Sequence, residues 1–333
     1  MQTRGLRFLL QPVVFLIWRS NMKSSNIGGQ ALLEGIMMRN GSNLAVAVRK
    51  PNGEIEVIEE EYKTAIKCKP LTKIPFVRGV FNFIDSLIMG MKTLNYSASF
   101  YEEETDVELS EQEAAKQKKK EDAIMAVTMV ISVLIAVGLF ILLPGLVADL
   151  LEKVIPYRIV RTIIESVLRI AIFVGYISIV SFMKDIKRTF MYHGAEHKCI
   201  NCIEHGLELT VENVRKSSKQ HKRCGTSFLF FVMFVSIIVS FFIMTDIFWL
   251  RILLRIALLP VVAGISYEII KLAGKSDNFI MNLLSKPGMA LQHLTTKEPD
   301  DDMIEVAICA VEKVFDWRTF LEENFEGQQD DAS

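Results

Sequence analysis

The sequence predicts a polytopic α-helical membrane protein with about four transmembrane helices. A small cytoplasmic β-hairpin/α region precedes the first span, and a cytoplasmic helix follows the last. Three observations lead there. Half of the 333 residues are hydrophobic and mean hydropathy is positive, as in a membrane protein with sizeable polar segments. Charges are crowded into blocks, which leaves uncharged stretches at 123–143 and 226–245 of the length a bilayer core requires. Four of the five histidines and three of the five cysteines fall between His193 and Thr226, in the polar loop between membrane-length stretches.

A formal net charge of −1 gives no reason to expect nucleic-acid binding. Five cysteines without the spacing of a disulfide scaffold point to reduced thiols, metal ligands or core residues.

Residues 1–21 carry a short apolar run, Phe8 to Trp18, that is too short to cross a bilayer as a helix and has no small-residue cleavage site after it. An interfacial helix and an extension ahead of a start at Met22 both fit. Residues 22–122 read as a cytoplasmic β/α region. Alternation at Leu44, Val46 and Val48, the turn Pro51-Asn52-Gly53, and renewed alternation at Ile55 and Val57 predict a hairpin or small sheet. Gly28-Gly29 lacks the GxxxxGK[ST] context of a phosphate loop and is expected at backbone bends. Val80, Phe83, Ile84, Leu87, Ile88, Met91 and Leu94 at helical spacing predict an amphipathic helix lying on the hairpin or on the membrane surface. An acidic run, Glu102 to Glu113, and the basic cluster Lys116, Lys118, Lys119 and Lys120 lead to the first span.

Two transmembrane hairpins follow, at 123–183 and 226–273, separated by a His/Cys loop at 184–225. The clean span Ala123–Leu143 is closed by Pro144-Gly145, and Thr226–Thr245 is the second clean one. The segments at 159–183 and 251–273 are less pure. Arg161, Glu165 and Arg169 lie in one, and Arg251, Arg255, Glu268 and Lys271 in the other, so both are expected to face the bundle interior or to snorkel. Residues 274–333 form a cytoplasmic C-terminal region. It contains a helix from Asp302 to about Glu323 with Ile304, Ala307, Ile308, Val311 and Phe315 on one face, Asp300 and Asp301 as candidate caps, and an acidic tail.

Nine Lys and Arg residues lie between Lys184 and Arg223, against Lys153 alone in the two connections on the other side. The positive-inside rule therefore places both termini and the His-rich loop in the cytoplasm of a multi-pass cell-membrane protein. The lipid bilayer is the implied partner. A reducing compartment keeps the thiols free.

His193 and His197 are four residues apart, so on a helix they share a face and can grip one ion. With Glu196 they form H-x-x-E-H, the inverted zinc-peptidase motif, whose carboxylate acts as general base. Two completions are open, beside a reading with no metal in which the histidines are hydrogen-bonded at a membrane interface. In the catalytic one, a third ligand comes from His221, Cys224, Glu204 or Glu268, and an open position remains. In the structural one, Cys199-x-x-Cys202 pairs with His221-x-x-Cys224 in a closed site.

Four stretches resemble the DUF1385 family of membrane proteins, whose members are often labelled metal-dependent enzymes. They are Ile27-Gly-Gly-Gln-Ala-Leu-Leu-Glu-Gly-Ile-Met-Met-Arg39, Tyr192-His-Gly-Ala-Glu-His-Lys198, His221-Lys-Arg-Cys-Gly-Thr-Ser-Phe228 and Gln292-His-Leu-Thr-Thr-Lys-Glu-Pro299. The resemblance runs from Asn26 to about Val314. It implies a start near Met22 and assigns His193, Glu196, His197, Glu204, His221 and Cys224 to the motif, with Cys199 and His205 particular to this chain. The implied ligand set for a divalent metal, zinc by donor type, is His193, His197, His221 and Cys224, with Glu196 as the catalytic residue. The leading expectation is a metal-dependent hydrolase at the cytoplasmic membrane face. The alternative is a non-enzymatic membrane factor with a membrane-protein partner, acting in protein translocation or membrane-protein quality control. Third stands a transporter using the charges at Glu165, Arg169, Arg255 and Glu268.

Overall fold

The computed structural model describes residues 23–64, 74–101, 111–274 and 278–325. The expected N-terminal extension, most of the acidic run after Tyr101 and the acidic tail lie outside those residues.

The expected hairpin is one half of a four-stranded antiparallel meander, β1 (Gly28–Leu32), β2 (Gly35–Asn40), β3 (Asn43–Arg49) and β4 (Ile55–Glu61), in that order across the sheet. Pro51-Asn52-Gly53 turns β3 into β4 as expected, with Gly53 at φ 89°. The glycine pair corrects the sequence reading: Gly28 and Gly29 lie inside β1 and pair with Arg39 and Met38 rather than making bends. Both faces of the sheet are covered, so the alternation sorts side chains between two cores. Met37, Leu44, Val46 and Val48 face one helix, α1 (Val77–Ser99), through its Met89 and Tyr96. Ile36, Met38, Ala45 and Ala47 face two others, α5 (Lys184–Glu204) and α10 (Asp301–Val314).

The apolar stripe expected to seat α1 does not seat it. Ile84, Leu87, Ile88 and Leu94 are exposed, whereas Gly79, Asp85, Gly90, Thr93 and Ser97 are buried. Small residues win these contacts because backbones come too close for larger ones. An added Cβ on Gly79 would lie 2.7 Å from the Tyr267 side chain, and one on Gly264 would lie 2.5 Å from the Phe76 carbonyl. Arg78 Nε donates to Glu268 at 2.7 Å, and Asn82 Nδ2 to the Tyr267 hydroxyl at 2.7 Å. One end of α1 is thereby clamped to α8 (Phe248–Ala273) and the other to the sheet.

Four helical stretches are long and apolar enough to cross a membrane: 123–150, α4 (Arg158–Val180), α7 (Gly225–Phe242) and α8. The first does not stop at Pro144 as expected. It runs from α2 (Glu111–Val137) through a π-helical turn at Gly138–Leu142 into α3 (Leu143–Leu150). Proline crowds the carbonyl one turn back, and the wider π turn ahead of it makes room for the ring. The charges in the impure helices pair with each other. Glu165 accepts from Arg169 at 3.0 Å and from Arg255 at 2.9 Å, and all three residues are buried.

The C-terminal helix also differs from its expectation. It breaks at Phe315-Asp316 into α10 and α11 (Trp317–Phe325). Asp316 causes the break by accepting the Thr319 amide at 3.1 Å and its hydroxyl at 2.8 Å, which caps the new helix. The remaining helices are the short α6 (Val211–Lys216), capped by Thr210, and α9 (Phe279–Thr295).

Candidate metal centre

His193 and His197 sit in the middle of α5, four residues apart, and their rings meet edge to face at 4.4 Å between centroids. Cys224 is the N-cap of α7, where its Sγ accepts the Thr226 amide at 3.3 Å. A ligand atom from each of the three lies within 4.8 Å of the others, and His193 Nε2 is 3.2 Å from Cys224 Sγ. A candidate membrane helix therefore begins one residue after a candidate ligand, which sets the group at the junction between the bundle and the polar part of the chain.

The orientation of both imidazoles is fixed from behind. His193 Nδ1 lies 2.9 Å from the Thr295 carbonyl. Thr295 is the last residue of α9, and carbonyls in the last turn of a helix have no intrahelical partner. His197 Nδ1 lies 2.7 Å from the Lys219 carbonyl. A carbonyl only accepts, so Nδ1–H donates in both cases and each Nε2 keeps its lone pair. Two nitrogen lone pairs and a sulfur converge, each nitrogen backed by a carbonyl, which is the arrangement metal-binding histidines require. The residues present fit a zinc-type ion.

Polar side chains build this frame. Lys198 Nζ donates to the Arg215 and Ser217 carbonyls at 2.9 Å each, and Asn201 Nδ2 to those of Ser218 and Gln220 at 2.6 and 2.9 Å. The 215–220 loop is thereby pinned to α5 on both sides of Lys219. Gln292, fully buried, accepts the His221 amide at 2.9 Å and donates to its carbonyl at 2.8 Å. Gly194 admits the segment after α9, since an added Cβ there would stand 2.0 Å from the Lys297 carbonyl.

The other predicted residues fall in three places. Glu196 is buried beside the ligands and receives the Gly29 amide of β1. Burial pushes its carboxyl up, against the opposing pull of His193 and that amide. Burial likewise pushes the His197 imidazole down, toward its neutral form. His221 is adjacent but outside the tight group: its ring lies 5.8 Å from that of His197, and its Nε2 is 3.2 Å from Glu204. Glu204, fully buried, also takes the Ser25 amide at 2.7 Å and the Arg223 guanidinium. Burial alone would raise its carboxyl, but His221, Arg223 and Ser25 more than reverse that and hold it at about 2.

The Cys199-x-x-Cys202 completion is not assembled. Both side chains are buried in the apolar core under the sheet, where burial pushes the Cys202 thiol up to about 12. Glu268 is taken by Arg78 and His205 by the Asn201 carbonyl. Lys198, Asn201, Thr295 and Lys219 were missed as site residues. The first two carried a signal as polar side chains at positions 198 and 201 of a buried helix, whereas a backbone carbonyl leaves no trace in residue type.

Residues 74–317 match the sequence model of the protein of unknown function family DUF1385. The chain belongs to the DUF1385 family. It is 38% identical over 304 residues to the uncharacterized protein YqhQ of Bacillus subtilis (strain 168), across 89% of this chain and 94% of the relative. No solved structure matches the chain. The family match contains all three residues of the tight group and the carbonyls behind them, and neither description names an activity.

Proposed function

We propose that this DUF1385 chain is an integral membrane protein of the cell membrane that crosses the bilayer four times, with both termini and the His193–Cys224 group on the cytoplasmic side. In this reading His193, His197 and Cys224 hold a divalent metal, zinc by donor type, and the chain is a metal-dependent hydrolase. One observation carries it: two imidazoles pinned at Nδ1 by backbone carbonyls turn both Nε2 atoms toward one sulfur. Histidine nitrogens and a cysteine sulfur suit zinc, and three protein ligands leave the fourth position that catalytic sites keep open.

Zinc held there supplies Lewis acidity. Glu196, one residue before a ligand and free of any ion pair among the described residues, takes and returns a proton at its carboxylate. Gly29 of β1 lies against that carboxylate. His221 and Glu204 position the loop that carries Cys224. The exposed stripe of α1, with Ile84, Leu87 and Ile88, lies against lipid, since the same helix is clamped to the candidate span α8.

Metal analysis of the purified full-length protein tests the ligand set. About one ion per chain is expected, lost in His193→Ala and in Cys224→Ser. Binding of a hydroxamate probe then tests the open position: tight binding supports hydrolysis, and metal without probe binding withdraws it.

A second reading has its own support. The group ties together segments from α5, α7, the 215–220 loop and α9, and His197 and Cys224 are buried. That is also how a structural clasp would join a span to the polar domain of a non-enzymatic membrane factor. Crosslinking to a stoichiometric membrane-protein partner, together with a hydroxamate-inert metal, is the result that selects it.

A further inference from the structure

The glycine pair of β1 has a cleft on one side and Glu196 on the other. The cleft, of about 370 Å³, lies between β1 and α1. Gly28, Gln30, Met37 and Arg39 meet it from one face of the sheet, and Ser86 and Met89 from the helix. Gly29 lines it too, while donating its amide to Glu196 on the far side. An added Cβ on Gly28 would meet nothing within 4 Å, whereas one on Gly29 would come within 3.0 Å of the Glu196 carboxyl carbon. Bare backbone is therefore all that separates the cleft from Glu196.

Arg39 is the cleft's cation. Its guanidinium stacks on the Tyr62 ring at 3.3 Å, and its Nε donates to the Gly41 carbonyl at 3.0 Å. Among the described residues its two terminal nitrogens have no hydrogen-bond partner. The Asp85 carboxylate lies within electrostatic reach of this guanidinium, and a guanidinium held by its Nε and one face, with no hydrogen bond at its fork, has the geometry that receives an oxyanion in two parallel hydrogen bonds. The cleft is also near the bilayer. Ser86 and Met89 follow Gly79, which packs on the candidate span α8, by seven and ten residues, or about 10 to 15 Å along the helix. That is within reach of lipid headgroups at a membrane surface.

We propose that this cleft binds a phosphate-type oxyanion, gripped by the fork of Arg39, on the face of β1 opposite Glu196. The source is a headgroup of the adjacent leaflet or a soluble phosphate ester. The proposal goes beyond the hydrolase reading and does not rest on it. Its binding step stands apart from the metal and is measured separately.

The test uses full-length protein in detergent with three probes: sn-glycerol 3-phosphate, dihexanoyl phosphatidic acid and the uncharged dihexanoyl glycerol. Saturable binding of a phosphate probe is expected. It should weaken about tenfold or more in Arg39→Gln, the loss of a charged, bidentate contact. Gly28→Val, whose side chain enters open space, should block it without unfolding the sheet, with Arg39→Lys intermediate and metal content unchanged throughout. Equal binding of glycerol phosphate and phosphatidate supports a soluble source, and binding of phosphatidate alone supports a lipid. Failure of both phosphate probes, equal binding of dihexanoyl glycerol, or unchanged affinity in Arg39→Gln overturns the proposal. Phosphate binding to a chain that holds no metal would leave the cleft standing and remove the hydrolase reading.

Discussion

Among the described residues, the buried polar cluster at the junction of α5 and α7 and the one inside the helical bundle are built in different ways. Within the bundle, Glu165 pairs with both Arg169 and Arg255, whose Nε atoms are buried without a hydrogen-bond partner. At the junction, His193, His197 and Cys224 turn two lone pairs and a sulfur toward each other. Opposite charges that already meet have reason to be structural. Lone pairs that converge in this way form the arrangement that a metal ion accepts. Burial and polarity are common to both, so the direction of the lone pairs separates a structural cluster from a binding one.

The largest single-residue effect should come from the ion-paired cluster of the bundle. Glu165→Gln leaves two buried guanidinium groups without their counter-charge and should destabilise the protein by about 4 kcal/mol. Replacing Glu165, Arg169 and Arg255 together with Leu, Leu and Met should cost less than that single change, as judged by thermal unfolding in detergent. A triple variant worse than the single one would give the cluster a role beyond packing.

Next is Glu204, which links the two kinds of cluster through His221. Its carboxyl is held at about 2 against an ordinary 4.5. The unfolded chain therefore binds the proton first, and the stabilisation, about 3 kcal/mol, is complete above pH 4.5 and fades as pH falls from there toward 2. Glu204→Gln should remove a similar amount at pH 7 and flatten that acid limb.

Much of this was legible in the sequence. The apolar helices showed themselves because no ordinary surface tolerates 18 or more apolar residues, and His193 with His197 because their spacing is one helical turn. The rest depended on backbone that residue type does not report. The carbonyls of Thr295 and Lys219 orient both imidazoles, yet any residue could supply them. Gly28-Gly29 looked like a bend because glycine serves bends and close approaches alike. The stripe on α1 shows in its spacing, but its spacing left two seats open, the hairpin and the membrane surface, and the sheet is met instead through Gly90 and Ser97. Asp316 was available as a cap, but the apolar spacing ran on through it.

A smaller effect tests the frame behind His193. Gly194→Ala forces its Cβ against the Lys297 carbonyl and should cost about 2 kcal/mol while pulling the Thr295 carbonyl away from His193, so metal affinity should fall along with Tm. Smallest is Cys199→Ala, expected to cost about 1 kcal/mol as a trimmed core residue and to leave metal content unchanged. Loss of metal in that variant would return the Cys199-x-x-Cys202 pair to the ligand set.

The contrast between the clusters rests on one measurement above the others, the metal content of the full-length protein purified without added chelator. The account predicts about one zinc per chain in the native protein and in Cys199→Ala, and none in His197→Ala. Native protein that holds no stoichiometric metal would contradict it.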